Sequence, residues 1–353
     1  MRILRRISAV ILGFTFFIAG LLKLMDPVGA GLVMEEYFKF LHLDFLRPAS
    51  YFAGAAMALL ETVIGIALIT GVWRKFFSYL TLAFMGAFTL LTVALVLFNP
   101  VMDCGCFGEA VHLTHLQSLI KNVVLLGLWA LAYLPMRSLE PTRKVKYVSF
   151  SIATVSVCLF LLYSVFSIPM VDFTDYKPGT ELSSLETVDW TRSEDIVLLS
   201  FSDANGQYAD SLALQGDVIA ASVYNPEKMD SKEWQKLSQL ADRAAAKGFT
   251  PLVLTASTPD MITETVSSPE LLPYIYFADR KTLLTLNRSN GGATFISDGQ
   301  IVTKWPVNRL PDTEKLEQLA STDPIESLVT ENHPAKLKLQ AFLLYVCAVI
   351  LLL

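Results

Sequence analysis

The sequence predicts a helical membrane bundle fused to a soluble α/β domain. Three observations carry that expectation. The 353-residue chain is 53% hydrophobic and only 17% charged, more apolar and less charged than an ordinary globular domain. The apolar excess falls before about residue 170 and again at the C-terminus. Between them, residues 171–335 have the mixed composition of a water-soluble domain and a strand, helix, strand, hairpin order.

Uninterrupted apolar runs of roughly 18 residues or more read as membrane helices. The first half holds five, at about 7–24, 50–72, 76–98, 116–135 and 147–169. A sixth, at 337–353, is only just long enough to cross. Arg2, Arg5 and Arg6 before the first run give the start of a signal peptide, but no small-x-small cleavage site closes it, so a retained span is expected. Between the first two runs, Val33, Tyr37, Phe40 and Leu41 fall near helical spacing within 31–47. That segment reads either as a short helix in the membrane interface or as one packed against the bundle.

Basic residues set the orientation. Arg2, Arg5 and Arg6 before the first span, Arg74 and Lys75 between the second and third, and Arg137, Arg143, Lys144 and Lys146 between the fourth and fifth form three clusters on one side, assigned to the cytoplasm. The loops 26–49 and 99–115 and the domain 171–335 then face outward, on the side where disulfides persist. The division that follows is a helical membrane domain at 1–136, a basic loop and fifth helix at 137–170, an extracytoplasmic α/β domain at 171–335 and a C-terminal apolar helix at 336–353.

In the outer domain, 196–201, 218–223, 250–255 and 274–277 read as strands, and 231–247 as a helix with Trp234, Leu237, Leu240, Ala241 and Ala244 on one face. Asp298-Gly299 is the two-residue turn of a hairpin between 293–297 and 300–305.

The chemistry-bearing motif is Asp103-Cys104-Gly105-Cys106-Phe107-Gly108 in the second outer loop. The chain has four cysteines, and the other two, Cys158 and Cys347, lie in apolar runs and read as inert core residues. Thiols one residue apart suit three chemistries: a redox pair, a static disulfide, or a soft-metal site completed by His112 and His115. No Lys or Arg adjoins the pair, so the helix beginning just beyond it is the expected source of positive potential. A disulfide across one residue closes a strained ring, which favours a donor of oxidising equivalents over a staple. Ionisable residues inside spans are expensive and point to function. Glu61 lies in the second span and reads either as a protonated carboxyl bonded to a neighbouring helix or as a proton relay or ligand contact. Lys23 and Asp26 lie three apart at the outer end of the first and read either as an interfacial snorkelling pair or with Lys23 directed toward the thiol loop.

The net charge of −5 without a basic stripe gives no footprint for nucleic acid. Neither inverted halves nor paired Gly/Pro breaks mark a transporter. The expected partners are the lipid bilayer and an outer protein or thiol substrate.

Phe17-Ile18-Ala19-Gly20-Leu21-Leu22-Lys23-Leu24-Met25-Asp26-Pro27 resembles the first-helix signature of DoxX-like membrane proteins. Glu61, the Cys-Gly-Cys-Phe-Gly motif and Lys121-Asn122 resemble the MauE branch, over roughly residues 1–135. The resemblance implies a four-helix core in a bacterial inner (cytoplasmic) membrane. It also implies a link to maturation of disulfide-rich partners, as for the small subunit of methylamine dehydrogenase, or to quinol oxidation, with a quinone as the cofactor class. Phe277-Ala278-Asp279, Arg288-Ser289-Asn290-Gly291-Gly292 and Asp298-Gly299 before Lys304-Trp305 resemble the thioredoxin-like domain joined to DoxX-type proteins in some bacteria. Two departures matter. Residues 159–346 contain no cysteine, and Gly292-Ala293-Thr294 stands where a proline is expected. This domain is therefore read as a docking module without dithiol exchange. Two functions stay open: a thiol–disulfide or quinone-linked redox protein acting through Cys104 and Cys106, with polar support from Lys23, Asp26 and Glu61, and a non-enzymatic membrane anchor whose outer domain docks a partner.

Overall fold

The structure, a computed structural model, describes residues 2–100, 102, 104–134, 136, 142–183 and 196–352. Asp103 of the thiol motif and Arg137 of the third basic cluster lie outside the described residues. The chain divides into two compact units, Met1–Phe166 with Leu339–Leu353, and Ser167–Lys338.

The first unit contains α1 (Arg2–Met25), α2 (Pro27–Phe40), α3 (Ser50–Thr70), α4 (Arg74–Phe98), the extended segment β1 (Cys106–Glu109), α5 (His115–Tyr133) and α6 (Lys144–Val165). It is completed by the apolar end of a long helix, α11 (Pro324–Leu352), whose first half belongs to the second unit. Among the described residues, α1, α3, α4, α5, α6 and α11 are long and apolar enough to cross a membrane. With no hydrophobic drive between helices in lipid, close packing has to hold them. Small residues supply it where α1 crosses α3. A Cβ on Gly20 would stand 2.5 Å from the Thr62 amide, and one on Gly65 2.4 Å from the amide of Phe17. That approach fixes the register of Lys23 against Glu61, one turn from Gly20 and one residue from Thr62.

Several boundaries differ from expectation for readable reasons. The outer-loop helix starts at Pro27, not near residue 31, because Asp26 caps it through Gly29 N (2.9 Å) and Pro27 suits a first helical position. It packs on the bundle, where the Gly54 position on α3 meets the Ala30 backbone. α6 ends at Val165, short of residue 169, since Pro169 disfavours helix just before it. α11 begins thirteen residues before position 337, with Pro324 in its first turn and Asp323 accepting from Ile325 N (2.8 Å). It runs antiparallel to α6: Ser149 Oγ donates to the Val349 carbonyl (2.6 Å) and Phe160 stacks on Phe342. Cys158 and Cys347 are half-buried on these two helices and are not core residues.

The second unit is built on β2 (Asp217–Val223), α7 (Ser231–Ala246), β3 (Thr250–Thr255), α8 (Pro259–Thr265), β4 (Ile275–Phe277), α9 (Arg280–Leu286), β5 (Gly292–Ser297), β6 (Gln300–Trp305) and α10 (Thr313–Ser321). The strands form one mixed sheet in the order β4-β3-β2-β5-β6. β2, β3 and β4 are parallel, and β5 and β6 are antiparallel to their neighbours. Period-two alternation splits β2 between two cores. Val218 and Ala220 face Leu283 and Leu286 of α9, while Ile219 joins Leu240 of α7 and Leu316 of α10. The expected hairpin turn has φ of 44° at Asp298 and 79° at Gly299, the left-handed pair such a turn requires.

The strand expected at 196–201 is absent. Leu199 and Phe201 are buried, which produced the apolar signal, but the segment joins no ladder. Its polar groups go elsewhere: Tyr176 Oη donates to the Leu198 carbonyl (2.6 Å) and Phe201 N donates to Asp210 Oδ1 (2.8 Å).

Candidate functional site

The site assembles where α1, α2, α3 and α5 converge on the thiol loop. Gly105 has φ of +57°, so the chain turns sharply enough to set Cys104 Sγ and Cys106 Sγ 3.3 Å apart. Both are buried free thiols. A Cβ on Gly105 would lie 2.3 Å from Val33 Cγ1, so α2 presses directly on the turn. One turn further along α2, the Tyr37 hydroxyl donates to the Cys104 carbonyl. Tyr37, Leu95, Cys104 and Cys106 form a small apolar cluster that shields the pair.

Lys23 and Glu61, read separately in the sequence, form one buried ion pair between α1 and α3. Lys23 Nζ lies 2.8 and 2.7 Å from the two carboxylate oxygens, with both side chains less than a tenth exposed. β1 passes over this lysine, as a Cβ on Gly108 would stand 3.6 Å from Lys23 Cγ. Asp26 does not join them. α1 ends at Met25, so Asp26 is on no common helix face with Lys23, and its carboxylate caps α2.

The sequence shows no basic residue adjoining the thiols, but the fold supplies one. Lys121 on α5 brings its charge to Cys106 and rests over the Phe107 ring, Nζ 5.1 Å from its centroid. Ser118, one turn earlier, lies 3.8 Å from Cys106 Sγ. Asn122 donates to Thr92 Oγ1 (3.1 Å), joining α5 to α4. The helix-spaced set Ser118, Lys121, Asn122 and Leu125 was the available signal for this face. Lys121-Asn122 entered only through a family resemblance, and Tyr37 only as a spacing residue. His115 lies outside the site, with Nε2 3.2 Å from the Pro100 carbonyl. Among the described residues, no group of three or more His, Cys, Asp or Glu is placed to hold a metal.

The two thiols are electrostatically unequal. The Cys104 S–H donates to Cys106, which with Lys121 and then Lys23 outweighs burial and draws Cys106 down to about 5. The same hydrogen bond and burial push Cys104 up. The pair therefore loses its first proton as a unit, with the charge resting on Cys106. Cys106 also borders a cavity whose lining combines Lys23, Glu61, Lys121 and Asn122 with Phe16, Phe84 and Phe88.

Residues 1–135 match the family model described as methylamine utilisation protein MauE. The match takes in α1 to α5 and the thiol loop, so every residue of the site lies inside the matched stretch. It stops before α6 and the outer domain. No match was found among curated proteins or among solved structures. The MauE match and six apolar helices identify a multi-pass membrane protein.

Proposed function

We infer that the chain is a membrane thiol–disulfide redox protein whose working pair is Cys104 and Cys106. The observation that supports this most is the 3.3 Å sulfur pair with one thiolate favoured beside Lys121. In its disulfide form the pair accepts two electrons. A thiolate from an outer dithiol substrate attacks Cys104 Sγ, the Cys104–Cys106 bond breaks, and Cys106 leaves as the sulfur best able to carry charge. The substrate's second thiol, losing its proton, attacks the mixed disulfide. The substrate departs as a disulfide and Cys104 departs as a thiolate that takes up a proton. A quinone would be held in the cavity beside Cys106 by Phe16, Phe84 and Phe88, with Lys121 and Asn122 available as hydrogen-bond donors. Such a group supplies a two-electron, two-proton acceptor.

The reading places the pair on the extracytoplasmic side of a bacterial inner membrane, with a DoxX-like core. Arg2, Arg5, Arg6 and Arg74 share the opposite end of the bundle, which favours a cytoplasmic N-terminus. The thioredoxin-like reading of the outer domain is supported by β2-α7-β3 followed by the antiparallel β5-β6 hairpin and α10. Alkylation before and after reduction in intact cells tests the redox assignment. The 104–106 peptide should shift between a doubly alkylated and a disulfide form, and a pair that never changes state overturns it.

The absence of cysteine from 159–346 favours a complementary role for the outer domain as a docking module. If Cys104→Ser/Cys106→Ser retains partner capture and normal growth under thiol stress, the anchor function stands alone.

A further inference from the structure

The end of the bundle remote from the thiols contains a second cavity. Its basic lining comes from two places distant in sequence: Arg2, Arg5 and Arg6 in the first turns of α1, and Arg74 at the start of α4. Tyr133, from the end of α5, joins them, and Ile3, Ala9, Leu68 and Ala132 make an apolar wall. Among the described residues that line it, there is no carboxylate.

The arrangement is convergent. Arg6 donates to the Ile69 carbonyl, and Arg74 Nε donates to the Gly71 carbonyl (3.3 Å). These anchors bring both guanidinia to the same turn at the end of α3. The position a Cβ would take on Gly71 lies 3.1 Å from Arg6 Nη1 and 3.0 Å from Arg74 Nε. Gly71, with φ of +77° and no side chain, lets both guanidinia pack this closely against the same turn. A guanidinium carries five N–H donors in a fixed fork, and each anchor uses one. Orientation by the positive-inside bias needs basic residues only near this end, where long side chains spread toward water. It does not require two like charges to be brought together, which is unfavourable unless an anion lies between them.

We propose that this cavity is a binding site for the phosphate headgroup of an anionic phospholipid. Arg6 and Arg74 form the fork, and the apolar wall takes the upper acyl chain. Paired guanidinia match phosphate oxygens in bidentate geometry. The apolar wall favours a lipid over free phosphate. Ile3, Leu4, Ile7 and Ile11 on α1 are exposed and present a lipid-facing stripe beside the cavity.

The test uses the full chain in detergent, challenged with phosphatidylglycerol, phosphatidylcholine or inorganic phosphate. Bound lipid is counted by native mass spectrometry, and protection is read from the thermal midpoint. Phosphatidylglycerol should be retained and should raise the midpoint, whereas phosphatidylcholine and inorganic phosphate should not. Arg6→Gln/Arg74→Gln should weaken retention about tenfold, or about 1.4 kcal/mol. Arg6→Lys/Arg74→Lys, which keeps charge but loses the fork, should fold and weaken retention in the same direction. Arg143→Gln/Lys144→Gln removes equal charge away from the cavity lining and should bind as wild type. Equal protection by inorganic phosphate overturns the lipid assignment. Equal loss in the Arg143/Lys144 variant, or no preference for phosphatidylglycerol, overturns the site.

Discussion

Lys23 on α1 and Glu61 on α3 form a two-pronged ion pair inside the bundle, Nζ 2.8 and 2.7 Å from the carboxylate oxygens. The pair sits one turn from the glycine crossing that brings the helices together and directly under β1. It ties the floor of the thiol loop to the tightest helix contact in the site.

Removing one partner strands a buried charge, whereas removing both does not. Lys23→Met or Glu61→Gln alone should lose on the order of 3–5 kcal/mol of stability. Lys23→Met/Glu61→Leu should lose much less than the sum, with coupling visible in a double-mutant cycle. Midpoints of the purified full chain in detergent measure this. Additive losses would show that the two residues do not act as a pair.

The thiols should titrate apart. Peptide-resolved alkylation of the reduced protein should label Cys106 with a midpoint of about 5. Cys104 should resist labelling well above neutrality. Lys121→Met should move the Cys106 midpoint upward, because Lys121 is its strongest support after the Cys104 hydrogen bond. The linkage has a definite sign. A thiol whose folded value is depressed contributes stability that is full above its unfolded value and is lost as pH falls through about 5. A shared midpoint in the ordinary thiol range for both cysteines contradicts this inequality.

The parts that could be read in advance are those written locally. Spans appear as apolar runs, and the hairpin appears as Asp298-Gly299 between alternating residues, because the physics that forms them acts within a few neighbours. The site is different. Lys23 and Glu61 are 38 residues apart, and no local pattern says which helix faces meet. The glycines that decide it, Gly20 and Gly65, are ordinary components of membrane helices. Lys121 was hidden for the same reason: fifteen residues beyond Cys106 in sequence, it returns on α5 to the sulfur. Asp26 shows the reverse error, since spacing of three implies a shared face only if the helix continues, and Pro27 starts a new one. The segment at 196–201 failed because buried alternation reports packing and not a ladder.

Gly105 is constrained twice. Its φ of +57° disfavours any side chain, and the space above it is filled by Val33. Gly105→Ala should open the turn and separate the sulfurs, lowering the yield of a short bifunctional thiol crosslink between Cys104 and Cys106. Adding Val33→Ala removes the 2.3 Å clash but leaves the backbone strain, about 1–2 kcal/mol for a left-handed non-glycine residue. The double variant should recover crosslinking in part. Full crosslinking in Gly105→Ala alone would mean that the turn does not depend on glycine.

In the outer domain, Asp172 and Lys304 make a buried pair with Nζ 2.6 Å from Oδ2. Burial acts to raise the Asp172 carboxyl, but Lys304 and hydrogen bonds involving Thr174 outweigh it and hold the group below the ordinary carboxylate value. A depressed carboxylate contributes stability that is present above its unfolded value and lost as pH falls through its folded one. Asp172→Asn leaves Lys304 as a buried cation without that counter-charge, so the domain should lose on the order of 3–5 kcal/mol at neutral pH. It should also lose part of its acid sensitivity, because the group that titrates is gone. Hydrogen exchange across 217–305 in the full chain reads both effects. Asp203 supplies the contrast. Its carboxyl is also held low, by the amides of Gln207 and Asn205, yet it lies at the solvent-accessible surface. Asp203→Asn should therefore leave protection of the sheet unchanged, and equal deprotection by the two variants would refute the buried-pair argument.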